Sequence, residues 1–81
     1  TRLLVHKSQV ADATGIVKTM MEGTPVGDPA EMGAHIGPVV NKAQFDKIQG
    51  LIQSAIDEGA TLVTGGTGRP DGRNVGYYIK P

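Results

Sequence analysis

The chain has 81 residues, with eight basic and eight acidic side chains, no cysteine and three aromatic residues. This length allows one domain at most, and the absence of cysteine excludes disulfides and thiolate metal sites. Zero net charge without a run of Lys or Arg argues against a nucleic-acid partner. No apolar run approaches the ~20 residues of a membrane span, and no signal peptide is visible, so we expect a cytoplasmic protein.

The first half of the chain predicts one strand and one helix. Residues 2–6, "RLLVH", form a continuous apolar run, which is typical of a strand buried on both faces of a parallel sheet. Ser8 is the expected N-cap of the helix that follows, because its hydroxyl can accept from first-turn N–H groups. Apolar residues then recur at intervals of three and four. Gly23 is expected to end this helix in the left-handed region.

A loop and a second helix come next. Residues 23–40 contain three prolines and four glycines, which predicts a loop. Asn41 can cap the second helix, and Gly59 is its expected stop. Gln49 is expected to face water on this helix, opposite its apolar stripe.

The last third predicts two strands, at residues 61–64 and from 77 onward. The "PDG" of residues 70–72 predicts a turn between them, because proline fixes φ and glycine accepts a positive φ. Apolar strands separated by helices imply a parallel pair with a right-handed crossover. We therefore expect an α/β fold, a partial doubly wound and mostly parallel sheet with flanking helices, in the order β-α-loop-α-β-β.

No self-contained active site is visible. The glycines of "VTGGTGRP" follow a strand but precede no helix, so we expect a plain loop in preference to a phosphate-binding loop. The acidic residues are scattered, and no nucleophile is set up, because Ser8 is expected to be a cap and Ser54 a residue on the helix surface. His6 and His35 lie far apart without a ligand partner in the sequence. The chain is predicted to hold no catalytic residue and no metal ligand.

Gln44 and Lys47 are the candidate binding residues. They lie three residues apart near a helix start and border the apolar stripe instead of opposing it. One interpretation is an amphipathic rim in which Lys47 extends over the edge of the core. The other is a hydrogen-bonding pair that faces a hydroxylated ligand in a neighbouring cleft.

Four stretches resemble a known family. The stretches "TRLLVHKS", "VGDP", "IGPVVNKAQFDKIQGLIQSAIDEGATLVTGG" and "GYYIKP" are similar, in order and spacing, to the NAD(P)-dependent aldehyde dehydrogenase superfamily. The resemblance covers essentially the whole chain and implies a segment of the family's catalytic domain. Ends such as "TRLLVHK", without an initiator methionine, also suggest a piece of a longer protein.

The resemblance carries expectations for the longer protein. It implies oxidation of an aldehyde to a carboxylic acid with NAD or NADP, through a cysteine nucleophile before "TR", a glutamate beyond "YYIKP" and a preceding Rossmann-like domain. Gln44 and Lys47 match a glutamine and a lysine that contact the ribose hydroxyls of the dinucleotide.

The chain alone is expected to be inactive and to self-associate, as a homo-oligomer or with the missing parts of the fold, through exposed strand edges. Two alternatives are a small stand-alone interaction protein and a minimal dinucleotide-binding module.

Overall fold

The computed structural model describes residues 1–81 and contains two α-helices joined by irregular segments. A 3-10 turn over Lys7–Gln9 leads into α1, Val10–Glu22, and α2 spans Lys42–Asp57. No β-strand forms, and an isolated parallel bridge pairs Val26 with Ile36. Neither helix has the length and apolar character that crossing a membrane would require.

The predicted α/β sheet is wrong for this chain. Residues 2–6, 61–64 and 77–80 have the apolar composition of strands, but they do not pair with one another. Part of the first two segments instead lines an open apolar groove beside α1. A strand requires a neighbouring backbone ~4.8 Å away to bond its N–H and C=O groups. The chain supplies these segments with an isolated bond of this kind, from the Val39 N–H to Tyr77 O at 3.0 Å, so no strand forms and the expected strand edges for self-association are absent as well.

The start of α1 differs from the prediction. The N-cap of the preceding 3-10 turn is His6, whose Nδ1 accepts from the Ser8 backbone N–H at 3.3 Å. The helix α1 itself begins after Gln9 without a side-chain cap. Ser8 Oγ lies 2.8 Å from the same His6 nitrogen. The helix does end at Gly23, but that residue has φ −82° and is right-handed, so the predicted left-handed stop is wrong.

Both ends of α2 match the prediction. The Asn41 side chain accepts from the Gln44 backbone N–H at 2.9 Å, which satisfies one of the four unpaired donors of the first turn. At the other end Gly59 has φ +97° and donates to Ile56 O at 3.0 Å. Glycine adopts this left-handed conformation without the penalty of a Cβ.

The molecule is open. Only Gly27, Gly66 and Tyr78 are buried, and the radius of gyration is 14.2 Å. A compact domain of this length would have a radius of about 12 Å. Large apolar side chains are correspondingly exposed, including Leu4 at 90% and Val75 at 87%.

Replacing Gly50 with alanine should raise the helix content of the isolated chain. Gly50 lies inside α2, and a Cβ there would meet nothing within 4 Å. Alanine is favoured over glycine in a helix interior by about 1 kcal/mol. Far-UV circular dichroism should therefore show a stronger helical signal for Gly50→Ala. Gly72→Ala is the matched control, since Gly72 has φ +74° outside any helix and should gain no helical signal.

Candidate functional site

The first turns of α2 present an exposed polar edge. Gln44 and Lys47 are both exposed, and neither side chain makes a hydrogen bond or ion pair. Leu51 follows one turn later on the same side and is 61% exposed. This edge therefore offers an unpaired amide and an unpaired ammonium group beside an exposed apolar side chain.

The adjoining face of α2 is held by an aromatic cluster. The Phe45 and Tyr77 ring centroids lie 6.2 Å apart and are tilted by 45°. The Arg69 guanidinium carbon lies 4.9 Å from the Phe45 centroid, within range of a cation–π interaction. Arg69 Nε also donates to Gly76 O at 2.9 Å. These contacts fasten the start of α2 to the residue 69–77 segment.

Gln49 makes a second attachment between α2 and that segment. Its Oε1 accepts from the Gly68 backbone N–H at 2.6 Å. Its Nε2 is buried without a hydrogen-bond partner. The expectation that Gln49 faces water is therefore wrong: the side chain is used for packing against the glycine-rich loop.

The "PDG" turn forms as predicted. The Arg73 backbone N–H donates to Pro70 O at 3.2 Å, and Gly72 has φ +74°. A positive φ at the third residue is what a type II turn requires. The turn places the Arg73 guanidinium 3.1 Å from Val26 O and 5.3 Å from the Tyr78 ring centroid.

A salt bridge lies on another side of α2. Lys42 Nζ and Asp46 Oδ2 are 2.6 Å apart, in an i, i+4 arrangement. The hydrogen bond from Lys42 to Asp46, together with the attraction of that carboxylate, raises the pKa of Lys42 above 10.5. Both side chains are solvated, and exposed pairs of this kind contribute little to stability. Lys42 is thus engaged within the chain, whereas Lys47 is available to a ligand.

The histidines take structural positions. His35 is half-buried, and its Nε2 lies 2.8 Å from Asp28 O. Its ring covers Gly27, where a Cβ would come within 2.5 Å of His35 Cγ. His6 caps the 3-10 turn. No group of three potential metal-ligating residues occurs in the structure.

Three side chains that join separate segments of the chain were not predicted from the sequence: Gln49, Arg69 and Arg73. Arg69 and Arg73 flank the predicted turn, and each lies over an aromatic ring. Two arginines next to a turn in a chain with three aromatic residues were the signal that could have pointed to cation–π contacts. Gln49 offered no comparable signal, because its partner is a backbone N–H.

Comparison with known proteins gives concordant results. The family model "Aldehyde dehydrogenase family" matches residues 1–81. The chloroplastic betaine aldehyde dehydrogenase of Atriplex hortensis is 42% identical over 81 residues, which is 100% of this chain and 16% of that protein.

Two solved structures also match. An aldehyde dehydrogenase from Bartonella henselae is 57% identical with a TM-score of 0.98, covering 100% of this chain and 17% of that one. A mutant of aldehyde dehydrogenase C from Pseudomonas syringae, complexed with NAD+ and octanal, is 36% identical with a TM-score of 0.90, covering 93% of this chain and 16% of that one. This chain therefore spans about one sixth of the length of the relatives it matches, and it belongs to the aldehyde dehydrogenase family.

Proposed function

We propose that this chain is a segment of an NAD(P)-dependent enzyme that oxidises an aldehyde to a carboxylic acid, and that Gln44 and Lys47 bind its dinucleotide. The observation that carries the proposal is family membership along residues 1–81. The Pseudomonas relative, solved with NAD+ and octanal, supports the assignment of cofactor and substrate class.

The two side chains suit a ribose ligand. An uncharged amide can both donate and accept, and an ammonium group supplies three donors, so together they can satisfy adjacent hydroxyl groups. Gln44 and Lys47 are one helical turn apart, exposed and unpaired. A ligand that binds there need not break an existing contact within the chain.

Contacts near the start of α2 hold the helix that carries Gln44 and Lys47 in place. Asn41 caps α2, and the Phe45 ring contacts both Arg69 and Tyr77. A helix held at its first turn presents its side chains with little reorganisation on binding, which lowers the entropic cost of association.

The reaction itself requires groups from the rest of the protein. When bound, the nicotinamide supplies the hydride acceptor for aldehyde oxidation. This chain contains no cysteine, so the thiolate expected from the family resemblance would come from outside it. The role proposed for this chain is to bind and orient the dinucleotide.

The large exposed apolar side chains support the proposal that further polypeptide covers this segment. Leu4 and Val40 are 90% and 84% exposed, on different parts of the chain. Leu4 shares an open apolar groove with Leu3, Val5 and Val10, and an exposed apolar surface of this kind is characteristic of an interface. We propose that this apolar surface packs against the remainder of the same protein and against its oligomeric partners.

Replacing Lys47 with alanine in the full-length enzyme should weaken NAD(P) binding. A hydrogen bond from a charged donor contributes about 1.5–3 kcal/mol, so KM for the dinucleotide should rise roughly tenfold or more. Because the contact would be present in both the ground state and the transition state, kcat should change much less. Steady-state kinetics with varied dinucleotide at saturating aldehyde would measure both constants.

Lys42→Ala is the matched control for that experiment. It removes an exposed lysine from the same helix, but one already paired with Asp46. The control should leave KM for the dinucleotide unchanged. Equal KM values for wild type and Lys47→Ala would overturn the role proposed for Lys47.

A further inference from the structure

We propose that Asp71 is a site of spontaneous isoaspartate formation. Asp71 is followed by Gly72, and both residues are exposed in the turn between Pro70 and Arg73. The proposal concerns the covalent chemistry of the main chain and does not depend on the function proposed above.

The surroundings of Asp71 leave its carboxylate and the next amide unhindered. The carboxylate makes no hydrogen bond or ion pair, and the Gly72 N–H donates to no acceptor within the chain. The position of a Cβ on Gly72 has nothing within 4 Å. Glycine also gives the backbone at this point the widest range of conformations.

The reaction needs only water. The Gly72 nitrogen attacks Asp71 Cγ of the protonated carboxyl group, a C–N bond forms, and one water leaves as the five-membered succinimide closes. Water then adds to one of the two ring carbonyls. Opening at the original main-chain carbonyl leaves the chain running through Cγ, which is isoaspartate, so the net change is an isomerisation without oxidant or reductant.

Other aspartates in the chain provide internal comparisons. Asp28 precedes Pro29, whose nitrogen carries no proton and cannot close the ring. Asp12 and Asp46 lie within α1 and α2, where the next residue is fixed in helical conformation. Of Asp12, Asp28, Asp46 and Asp71, only Asp71 lies in an exposed turn and is followed by a glycine.

The product would alter the contacts that the turn supports. Isoaspartate adds one methylene group to the main chain between Asp71 and Gly72. The Arg73 N–H lies 3.2 Å from Pro70 O in the intact turn, and the Arg73 side chain donates to Val26 O at 3.1 Å. Lengthening the chain inside this closed turn displaces Arg73 and releases its contact with Tyr78.

The test is an ageing experiment on the full-length protein that contains this chain. The protein is incubated at physiological temperature and neutral pH, sampled over weeks, and digested. Isoaspartate at Asp71 is quantified by electron-transfer mass spectrometry and, independently, by methyl transfer with an isoaspartyl methyltransferase. A synthetic peptide of residues 67–76 gives the unrestrained rate.

We expect isoaspartate to accumulate at Asp71 of the full-length protein at a rate within about tenfold of the rate in the peptide. This difference in rate is equivalent to an activation barrier raised by no more than about 1.4 kcal/mol. Asp28 and Asp46 should show none, and Asp71→Glu should abolish the product, because the longer side chain disfavours the ring. Accumulation in the intact protein more than about a hundredfold slower than in the peptide would overturn the proposal. So would accumulation that Asp71→Glu does not remove.

Discussion

The isolated chain should unfold without a cooperative transition. Only three of its 81 residues are buried, and a single large apolar side chain, Tyr78, is among them. Burial of apolar surface is the main term that offsets the conformational entropy lost on folding. With so little of it, helix content should fall gradually on heating, and the chain should self-associate as its concentration rises.

Circular dichroism on heating, together with light scattering over a concentration series, would test this expectation. A cooperative domain of this size would show an unfolding enthalpy of about 0.7 kcal/mol per residue near 60 °C. A sharp sigmoidal transition with an enthalpy in that range, from a monodisperse monomer, would contradict the expectation. It would instead favour the stand-alone interaction protein.

Replacing Tyr78 with alanine should have the largest local effect of any substitution in this chain. Tyr78 is 7% exposed, and its ring lies 5.3 Å from the guanidinium carbon of Arg73. It also packs over Gly76, where a Cβ would come within 2.8 Å of Tyr78 Cε2. Truncating a buried aromatic residue typically costs about 3–5 kcal/mol.

Hydrogen exchange of residues 66–80 in the full-length protein would measure that effect. A local loss of about 3 kcal/mol accelerates exchange roughly a hundredfold where opening is local. Tyr78→Phe is the matched control, because the Tyr78 hydroxyl makes no hydrogen bond within the chain. Equal exchange rates for Tyr78→Ala and Tyr78→Phe would show that the ring does not hold this segment.

The parts of the fold that could be predicted are those decided by local interactions. The Asn41 cap, the Gly59 stop and the Pro70–Arg73 turn each depend on a few neighbouring residues, and each is confirmed. The prediction that Ser8 is an N-cap is wrong, because a neighbouring side chain provides the cap instead. His6 supplies the capping nitrogen, and a 3-10 turn precedes the helix.

The predicted sheet does not form, because a strand requires a neighbouring backbone to which its N–H and C=O groups can bond. Residues 2–6 have the composition of a buried strand, yet Leu3 and Leu4 are exposed and unpaired. The backbone nonetheless follows that of the Bartonella aldehyde dehydrogenase, with a TM-score of 0.98. The apolar composition of these segments therefore did not predict their hydrogen bonding, and the predicted sheet is wrong.

The candidate site, like the fold, could be predicted only in part. Helical spacing placed Gln44 and Lys47 on one edge of α2, and the structure leaves both side chains exposed and unpaired. Their contact with a dinucleotide stays a prediction drawn from the family resemblance. The Gln49–Gly68 hydrogen bond joins residues 19 positions apart, and the Phe45–Arg69 contact spans a still longer stretch of the sequence, so no local pattern specifies such pairs.

The separation of α1 from α2 has a consequence for how this segment responds to change. The two helices make no contact with each other. Free-energy effects of substitutions that share no partner usually add, with coupling below about 0.5 kcal/mol. Substitutions in α1 are therefore expected to change the edge formed by Gln44 and Lys47 only through residues 64–68, where Glu22 of α1 accepts from Thr64 and Gln49 of α2 accepts from Gly68.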